Sequence, residues 1–387
     1  MFKIKHWLKR STLKLLPGRP GKEVIAPGDL PRSEIRKIVI LIRSDALVDL
    51  LLTTPVFKAV RQGFPSAHIA VLTGNYTGQV LVNNPNIDEV IYLRKGLAFW
   101  SPANVIAFVK QLHAHFDLAI VLNPSAQIDW LAHFSGARYI LGPEQAVETD
   151  DEAIGFYNLR APRADAKQHV TERALAVVRH LGLDSSDKGA ELSITTEEKI
   201  RAIEFLKENF IQLGELVVAV HLGTGKFNQP WDVKNFIQVA KSFSTLHNAK
   251  IVVSWGPEDQ QTGRAFLEGM PFTPVQANGL SLRELAAVYL FCSLLVCNYT
   301  GIMYLAASLG TPLVAVGGPP EPDDREPLGE EFVVLKGVHG DVSTIGPEQV
   351  MQRAAGLLRA YPKNIKDQQF DISEQVLEQY LNVLKTF

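Results

Sequence analysis

A chain of 387 residues is longer than one hydrophobic core usually organises, so its length predicts two domains. Hydrophobic residues make up 46% and charged residues 21% of it, as in ordinary soluble globular proteins, and no apolar stretch is long and uncharged enough to span a bilayer. The net charge of -2 argues against nucleic acid as a partner, and two cysteines, Cys292 and Cys297, leave no disulfide framework or cysteine-based zinc site.

The first 22 residues depart from this neutrality. Lysines and arginines alternate there with apolar residues, the first acidic residue is Glu23, and Pro17-Gly18 ends the helical pattern. The segment lacks the apolar core and cleavage site of a signal peptide. It predicts a basic amphipathic helix that lies on an anionic membrane surface; the alternative is a helix that is floppy or packs against a domain.

Strands and helices alternate through residues 31–195. Apolar, β-branched runs predict buried parallel strands, and amphipathic runs between them predict helices. The strands are predicted at 37–43, 68–73, 89–93 and 117–122, and the helices at 50–64, 77–83, 102–115 and 170–181. This alternation is typical of a doubly wound α/β domain.

The alternation restarts after a linker region at 183–214, within which a helix is predicted at 195–210. Strands are predicted at 216–221, 250–254, 294–297 and 312–316, and helices at 233–246, 281–291, 303–309, 347–361 and 372–385. Two successive α/β domains predict a ligand-binding cleft between the carboxyl ends of two sheets.

Two aspartates follow the first strand, in the loop Ser44-Asp-Ala-Leu-Val-Asp49. A carboxylate at a sheet's carboxyl edge can act as a general base on a substrate hydroxyl. The alternative is that Asp45 or Asp49 caps the following helix.

Three loops of the second half also follow strands. In His221-Leu-Gly-Thr-Gly-Lys226 the glycines allow close backbone approach, and Thr224 and Lys226 can meet phosphate oxygens. Ser254-Trp-Gly-Pro-Glu-Asp259 offers Glu258 or Asp259 to a ribose, unless these acids are only solvated.

The third loop is Asn298-Tyr-Thr-Gly301, between a strand and a helix. Free backbone N–H groups at such a turn suit an anion, although an ordinary strand-to-helix turn would look the same. Because all three loops end strands of one domain, they are predicted to converge on a nucleotide diphosphate and its ribose.

The chain resembles glycosyltransferase family 9, the lipopolysaccharide heptosyltransferases, from about residue 37 to 358. The stretches that carry the resemblance are 42–55, Gln168-His-Val-Thr-Glu-Arg173, 223–231, Trp255-Gly-Pro-Glu258 and 298–310. The resemblance implies a GT-B fold with two Rossmann-like domains and a cleft between them. It divides the chain into a basic segment and linker (1–30), an acceptor-side domain (31–195), a nucleotide-sugar-binding domain (196–365) and a helix crossing back to the first domain (366–387).

The resemblance also implies a reaction: inverting transfer of heptose from ADP-heptose to a lipopolysaccharide core acceptor, without metal or other cofactor. The enzyme would work on the cytoplasmic face of the inner membrane, peripherally attached. By position, Asp49 matches the family's catalytic base, and the residues that match its sugar-donor site are Thr224, Lys226, Glu258, Thr300 and Gly301.

Two positions depart from the family's pattern of an aspartate before the turn and a histidine after it. Tyr299 and Tyr304 stand there. A phenol supplies neither a carboxylate nor a readily gained positive charge. The sequence therefore leaves open a different nucleotide-sugar donor on the same scaffold, or a catalytically silent binding homologue.

Overall fold

The computed structural model describes residues 23–42, 47–93, 116–144, 157–212, 214–224, 229–317 and 324–362. The predicted N-terminal helix, the helices predicted at 102–115 and 372–385, Asp45 and Lys226 lie outside these ranges. The described residues form two compact units, one within 1–45, 55–78 and 85–187, the other within 46–54, 79–84 and 188–387. No helix in them has both the length and the apolar character needed to cross a membrane.

The first unit is built on a six-stranded parallel sheet in the order β3-β2-β1-β4-β5-β6. The strands are β1 (Lys37–Leu41), β2 (His68–Gly74), β3 (Glu89–Leu93), β4 (Leu118–Val121), β5 (Tyr139–Pro143) and β6 (Leu159–Ala161). After β1 come helices α1 (Leu47–Leu51) and α2 (Thr54–Gly63), followed by α3 (Ala126–Phe134) and α4 (Val170–Arg179). The strand order is that of the Rossmann fold.

The second unit repeats this architecture with the order β12-β11-β10-β7-β8-β9. Its strands are β7 (Val217–His221), β8 (Lys250–Ser254), β9 (Val275–Gln276), β10 (Leu294–Asn298), β11 (Leu313–Val316) and β12 (Phe332–Leu335). Its helices are α5 (Thr196–Glu208), α6 (Val233–His247), α7 (Gln260–Gly269), α8 (Leu282–Leu290), α9 (Gly301–Ala307) and α10 (Pro347–Ala360). Counted within the unit, the order is the same Rossmann order, which confirms the prediction of two parallel α/β sheets.

Each unit has its own apolar core, because central parallel strands are covered on both faces. In the second unit, Val218 and Val296 pack with Phe236 and Trp231, whose rings meet edge to face at 4.8 Å. The Trp231 indole N–H donates to the carbonyl of Ile345 at 2.8 Å, so this buried tryptophan has its polar group satisfied.

The prediction of one helix over 50–64 is wrong, because the chain breaks it at residues 52–53 into α1 and α2. Pro55 has no N–H to donate to the carbonyl of Leu51. The hydroxyl of Thr54 donates to that carbonyl instead, at 2.7 Å. The break leaves α1 as a separate short helix that groups with the second unit.

Four strands and two helices were not predicted: β5, β6, β9, β12, α3 and α7. The edge strands β6 and β9 have three and two residues, too few for a readable pattern. All four residues of β12 are half-buried, so the run is not the fully buried type. At 77–83, where a helix was predicted, the structure has a 3₁₀ helix over Thr77–Leu81.

Arg283 is a buried, extensively hydrogen-bonded cation of the second unit. It is 8% exposed, and its guanidinium forms a bidentate pair with Glu198 at 2.5 and 2.7 Å. It also donates to the carbonyls of Ser193 and Val82 at 2.7 and 2.9 Å. Burial, the largest single effect, raises the pKa of Glu198, but the hydrogen bonds from Arg283 and Thr195 and the charge of Arg283 together outweigh it and lower that pKa. The segments 79–84 and 193–198 are thereby fastened to α8.

Candidate functional site

The strand order of the second unit reverses between β7 and β10, and ligands of open α/β sheets bind at such a point. Asn298, the last residue of β10, connects the two strand ends. Its amide nitrogen donates to the carbonyls of Leu222 and Gly223 at 3.0 and 3.3 Å, and its oxygen accepts from the backbone N–H of Trp231 at 3.0 Å. This 1% exposed side chain fixes the start of the β7 loop and its return at Trp231.

A buried hydrogen-bonded chain supports the end of β7. The Nδ1 atom of His221 lies 2.9 Å from the hydroxyl of Ser254, which lies 2.7 Å from the hydroxyl of Tyr289. Burial lowers the pKa of His221 to about 4 and raises that of Tyr289. Both rings are therefore neutral at physiological pH, and they act as structural hydrogen-bonding groups.

The β7 and β8 loops meet at Asp259. Its carboxylate accepts hydrogen bonds from the backbone of Gly256 and of Thr224, and a Cβ atom on Gly223 would lie only 3.2 Å from it. Burial raises the pKa of Asp259, and the nearby Glu258 adds to this effect. The structure thus brings Thr224 and Asp259 together, whereas the side chain of Glu258 is exposed to solvent.

Gly223 has a packing role of its own. A Cβ atom there would lie 2.6 Å from Nε2 of His221, closer than real contacts allow. The glycine lets the loop pass over the imidazole and the Asp259 carboxylate. Close approach to a ligand is therefore not needed to explain this residue.

The turn Thr300-Gly301 begins α9. Thr300 precedes the helix with extended backbone, but its side chain makes no capping hydrogen bond, and its Oγ1 atom is buried without a partner among the described residues. Gly301 does not have a positive φ angle, and a Cβ atom there would contact only Leu47, at 3.6 Å. Neither backbone strain nor crowding within the described chain requires glycine at this position.

Asp49 is the third residue of α1, so it does not cap that helix. Helix α1 packs against α9. The Asp49 side chain is 25% exposed, and its Oδ1 atom accepts from Nη1 of Arg325 at 3.1 Å. Nε of Arg325 also lies 3.7 Å from Asp324.

The two tyrosines belong to the same cluster. Tyr304 is 1% exposed, and its hydroxyl donates to the backbone carbonyl of Arg325 at 2.7 Å. Because that proton is committed, the hydroxyl of Tyr299 is the donor in the 3.3 Å contact between the two phenols. A continuous chain of contacts therefore runs from Tyr299 through Tyr304 and Arg325 to Asp49.

Sequence reasoning missed Arg325, and it placed Asn298 in the third loop without giving its side chain a role. Arg325 is a single basic residue in the acidic stretch Asp324-Arg-Glu326, a pattern that indicates only a solvated loop. Its partner Asp49 is 276 positions away, and no local pattern could join them. Asn298 is the last residue of a buried strand, and a polar residue at the end of such an apolar run could have indicated a structural hydrogen-bonding role.

An open hollow in the first unit is a poor alternative site. Arg138, Tyr139, Asn158 and Asp29 are among its lining residues. It lies at the amino end of β5, because Tyr139 is the first residue of that strand. Ligands of parallel α/β sheets bind at the opposite, carboxyl ends.

Residues 105–352, more than half of the chain, match glycosyltransferase family 9 (heptosyltransferase). Lipooligosaccharide heptosyltransferase 2 of Haemophilus influenzae is 21% identical over 315 residues, which cover 79% of this chain and 90% of that protein. A crystal structure of a family 9 glycosyl transferase from Veillonella parvula is 26% identical, with a TM-score of 0.76 over 84% of this chain and 98% of its own. E. coli ADP-heptose lipopolysaccharide heptosyltransferase II shares the fold at 19% identity, with a TM-score of 0.68 over 84% of this chain and all of its own. The two Rossmann-like sheets are thus those of a GT-B fold, as predicted.

Proposed function

The chain belongs to glycosyltransferase family 9, and we propose that this glycosyltransferase moves a heptose from ADP-heptose to a lipopolysaccharide core acceptor. The family supports the class of reaction. The ADP-heptose donor and the lipopolysaccharide acceptor are named for the E. coli relative and are extended here to this chain. The observation that carries the proposal is a set of contacts at α9. Asp49, the predicted base, accepts a hydrogen bond from Arg325, whose backbone carbonyl is held by Tyr304 of α9. Helix α9 begins at Thr300-Gly301, the predicted sugar-donor turn.

In the proposed reaction, Asp49 is the general base. The acceptor hydroxyl attacks the anomeric carbon of the heptose from the side opposite the diphosphate, and Asp49 takes the hydroxyl proton. A new carbon–oxygen bond forms, the bond from the anomeric carbon to the diphosphate oxygen breaks, and ADP leaves with that electron pair. The anomeric configuration is inverted. The assignment of Asp49 as the base is supported by its partly exposed carboxylate beside α9.

The sugar donor is assigned to the second unit's loops. Thr300 and Gly301 would meet its diphosphate, together with Thr224 and Lys226, and Glu258 would meet the adenosine ribose. The Thr300 hydroxyl supports this assignment, because it is buried with no hydrogen-bond partner in the described part of the chain, and such a group costs free energy unless something binds it. Thr300→Val should therefore weaken ADP binding without destabilising the fold.

A different nucleotide-sugar is the second candidate for the donor. Tyr299 and Tyr304 favour it, because the two phenols form one hydrogen-bonded pair at the positions where the family pattern has an acid and an imidazole. A changed pair at the sugar-donor turn is the kind of difference that alters which donor is accepted.

Calorimetry with ADP, UDP and GDP, followed by transfer assays with the matching sugar nucleotides and a lipid A–core acceptor, tests the proposal. ADP should bind, and ADP-heptose should support transfer. Asp49→Asn should lose about 10³-fold in kcat without weakened ADP binding, because the base is absent from the nucleotide contacts. Preference for UDP or GDP would favour the second candidate. Binding of none of the three, or full activity of Asp49→Asn, would refute the mechanism.

For the location in the cell, we propose a peripheral enzyme of the inner membrane's cytoplasmic face. The basic and apolar alternation of residues 1–22 supports this assignment, since such segments bind anionic lipid. The segment lies outside the described residues.

A further inference from the structure

We propose that Arg325 binds the diphosphate of the sugar donor and that, before the donor binds, Arg325 is ion-paired with Asp49. Donor binding would then draw the guanidinium away from the carboxylate and release the base. This inference rests on the proposed function, since it needs an anionic sugar donor and a basic Asp49.

The backbone carbonyl of Arg325 is held in place, while much of its side chain is exposed to solvent. The Tyr304 hydroxyl holds the Arg325 carbonyl at 2.7 Å, and Tyr304 itself is buried in α9. The Arg325 side chain, by contrast, is 47% exposed. An arginine whose backbone carbonyl is held and whose guanidinium is accessible to solvent can exchange partners without a rearrangement of the fold.

The ion pairs around Arg325 are weak enough to permit such an exchange. Asp49 and Asp324 both face its guanidinium, at 3.1 and 3.7 Å. The neighbouring Glu326 is paired with Lys336 at 2.6 Å. Partly exposed ion pairs of this kind are weak, because water solvates both charges. Exchanging the Asp49 carboxylate for another anion would therefore cost the guanidinium little free energy.

A diphosphate is a stronger partner for this guanidinium than a single carboxylate. Its oxygens carry more charge, and the planar fork of arginine matches phosphate geometry with two parallel hydrogen bonds. Tyr304 cannot supply a cation itself, since its phenol is neutral. Arg325 is the positively charged group that Tyr304 holds beside α9, the helix that begins at Thr300-Gly301.

The exchange would couple binding to chemistry. An ion-paired carboxylate accepts a proton poorly, because the cation stabilises its charged form. When the guanidinium moves to the diphosphate, Asp49 regains its basicity at the moment when the sugar donor is in place. The free enzyme would keep its base blocked, and the loaded enzyme would have it available.

A double-mutant cycle with ADP and AMP as calorimetric probes tests this inference. Arg325→Gln should weaken ADP binding about tenfold and AMP binding less than about twofold, because AMP lacks the second phosphate. Asp49→Asn should tighten ADP binding about threefold, since the guanidinium no longer has to leave a carboxylate. The double variant should match Arg325→Gln, because the effect of Asp49 acts through Arg325. Arg353→Gln, which removes an exposed arginine of α10, is the matched control and should bind ADP normally.

The outcomes separate this inference from the function on which it rests. If the unmodified protein binds ADP and Arg325→Gln binds it equally well, Arg325 does not contact the diphosphate and only this inference fails. Equal losses for ADP and AMP also overturn it. If Asp49→Asn weakens ADP binding, the two residues act together on the nucleotide and the release step is wrong. If no nucleoside diphosphate binds the unmodified protein, the proposed function itself fails.

Discussion

The hydroxyl of Tyr304 donates a 2.7 Å hydrogen bond to the backbone carbonyl of Arg325. Burial raises the pKa of this phenol well above its ordinary range, so the group stays a neutral donor at physiological pH. One buried side chain of α9 thereby sets where an exposed arginine leaves the backbone, and that arginine reaches Asp49 at 3.1 Å. Tyr304, which stands where the family pattern has a histidine, is thus linked through Arg325 to Asp49, the predicted base.

Tyr304→Phe should remove this anchor and leave the ring packing intact. We expect a loss of about 1 kcal/mol in the free energy of unfolding, the usual worth of one hydrogen bond. ADP affinity should fall about threefold, less than in Arg325→Gln, because the guanidinium is still present but less well placed. Thermal unfolding and calorimetry measure the two effects. Tyr76→Phe, which changes a phenol that is 59% exposed in the first unit, is the control. Unchanged ADP affinity in Tyr304→Phe would refute the positioning role.

Two glycine-to-alanine changes should separate packing from ligand approach. Gly301→Ala should leave stability unchanged or slightly raised, because among the described residues the new methyl group meets only Leu47, at an ordinary 3.6 Å. Gly223→Ala should cost about 2 kcal/mol, because its methyl group would collide with the His221 imidazole. If Gly301 borders the diphosphate, Gly301→Ala should lose about tenfold in ADP affinity, since a methyl group would displace the phosphate. ADP affinity equal to that of the unmodified protein would remove Gly301 from the site.

The buried His221 should make the free energy of unfolding decrease as the pH falls. Its pKa is 6.5 in the unfolded chain and about 4 in the folded protein because of burial. Between these values the unfolded state binds a proton that the folded state does not, so stability is full above pH 6.5 and is lost as pH falls towards 4. The loss attributable to this residue is about 3 kcal/mol. Thermal unfolding between pH 7 and 4 should therefore be flatter for His221→Asn, which keeps a hydrogen bond to Ser254; parallel pH curves would contradict this assignment.

Deletion of residues 1–22 should weaken partitioning onto anionic vesicles. We expect about a tenfold loss on phosphatidylglycerol-containing vesicles at low salt, and little change on neutral ones, because the segment's basic residues act through charge. Transfer to a soluble acceptor fragment should be unaffected and serves as the control for folding. Equal partitioning of the full-length and shortened proteins would show that the segment does not attach the protein to the membrane.

The fold was readable because its central strands are long and apolar. The runs at 217–221 and 294–298 are buried along their whole length, and a continuous apolar β-branched run between helices is typical of a parallel sheet. The edge strands β6, β9 and β12 escaped prediction because short or half-buried segments carry no such pattern. The domain limits, the site roles and the membrane attachment stay predictions.

The sequence by itself determined two Rossmann-like halves and the loops at their strand ends, since chain-local patterns of apolar residues and glycines decide these features. It also identified Asp49, Thr300, Gly301 and the two tyrosines as candidate site residues. Only the tertiary structure decided that Arg325 pairs with Asp49 and that Tyr304 holds Arg325 in place. The reason is distance along the chain: an ion pair across 276 positions depends on how α1 and α9 pack, and no local pattern encodes that.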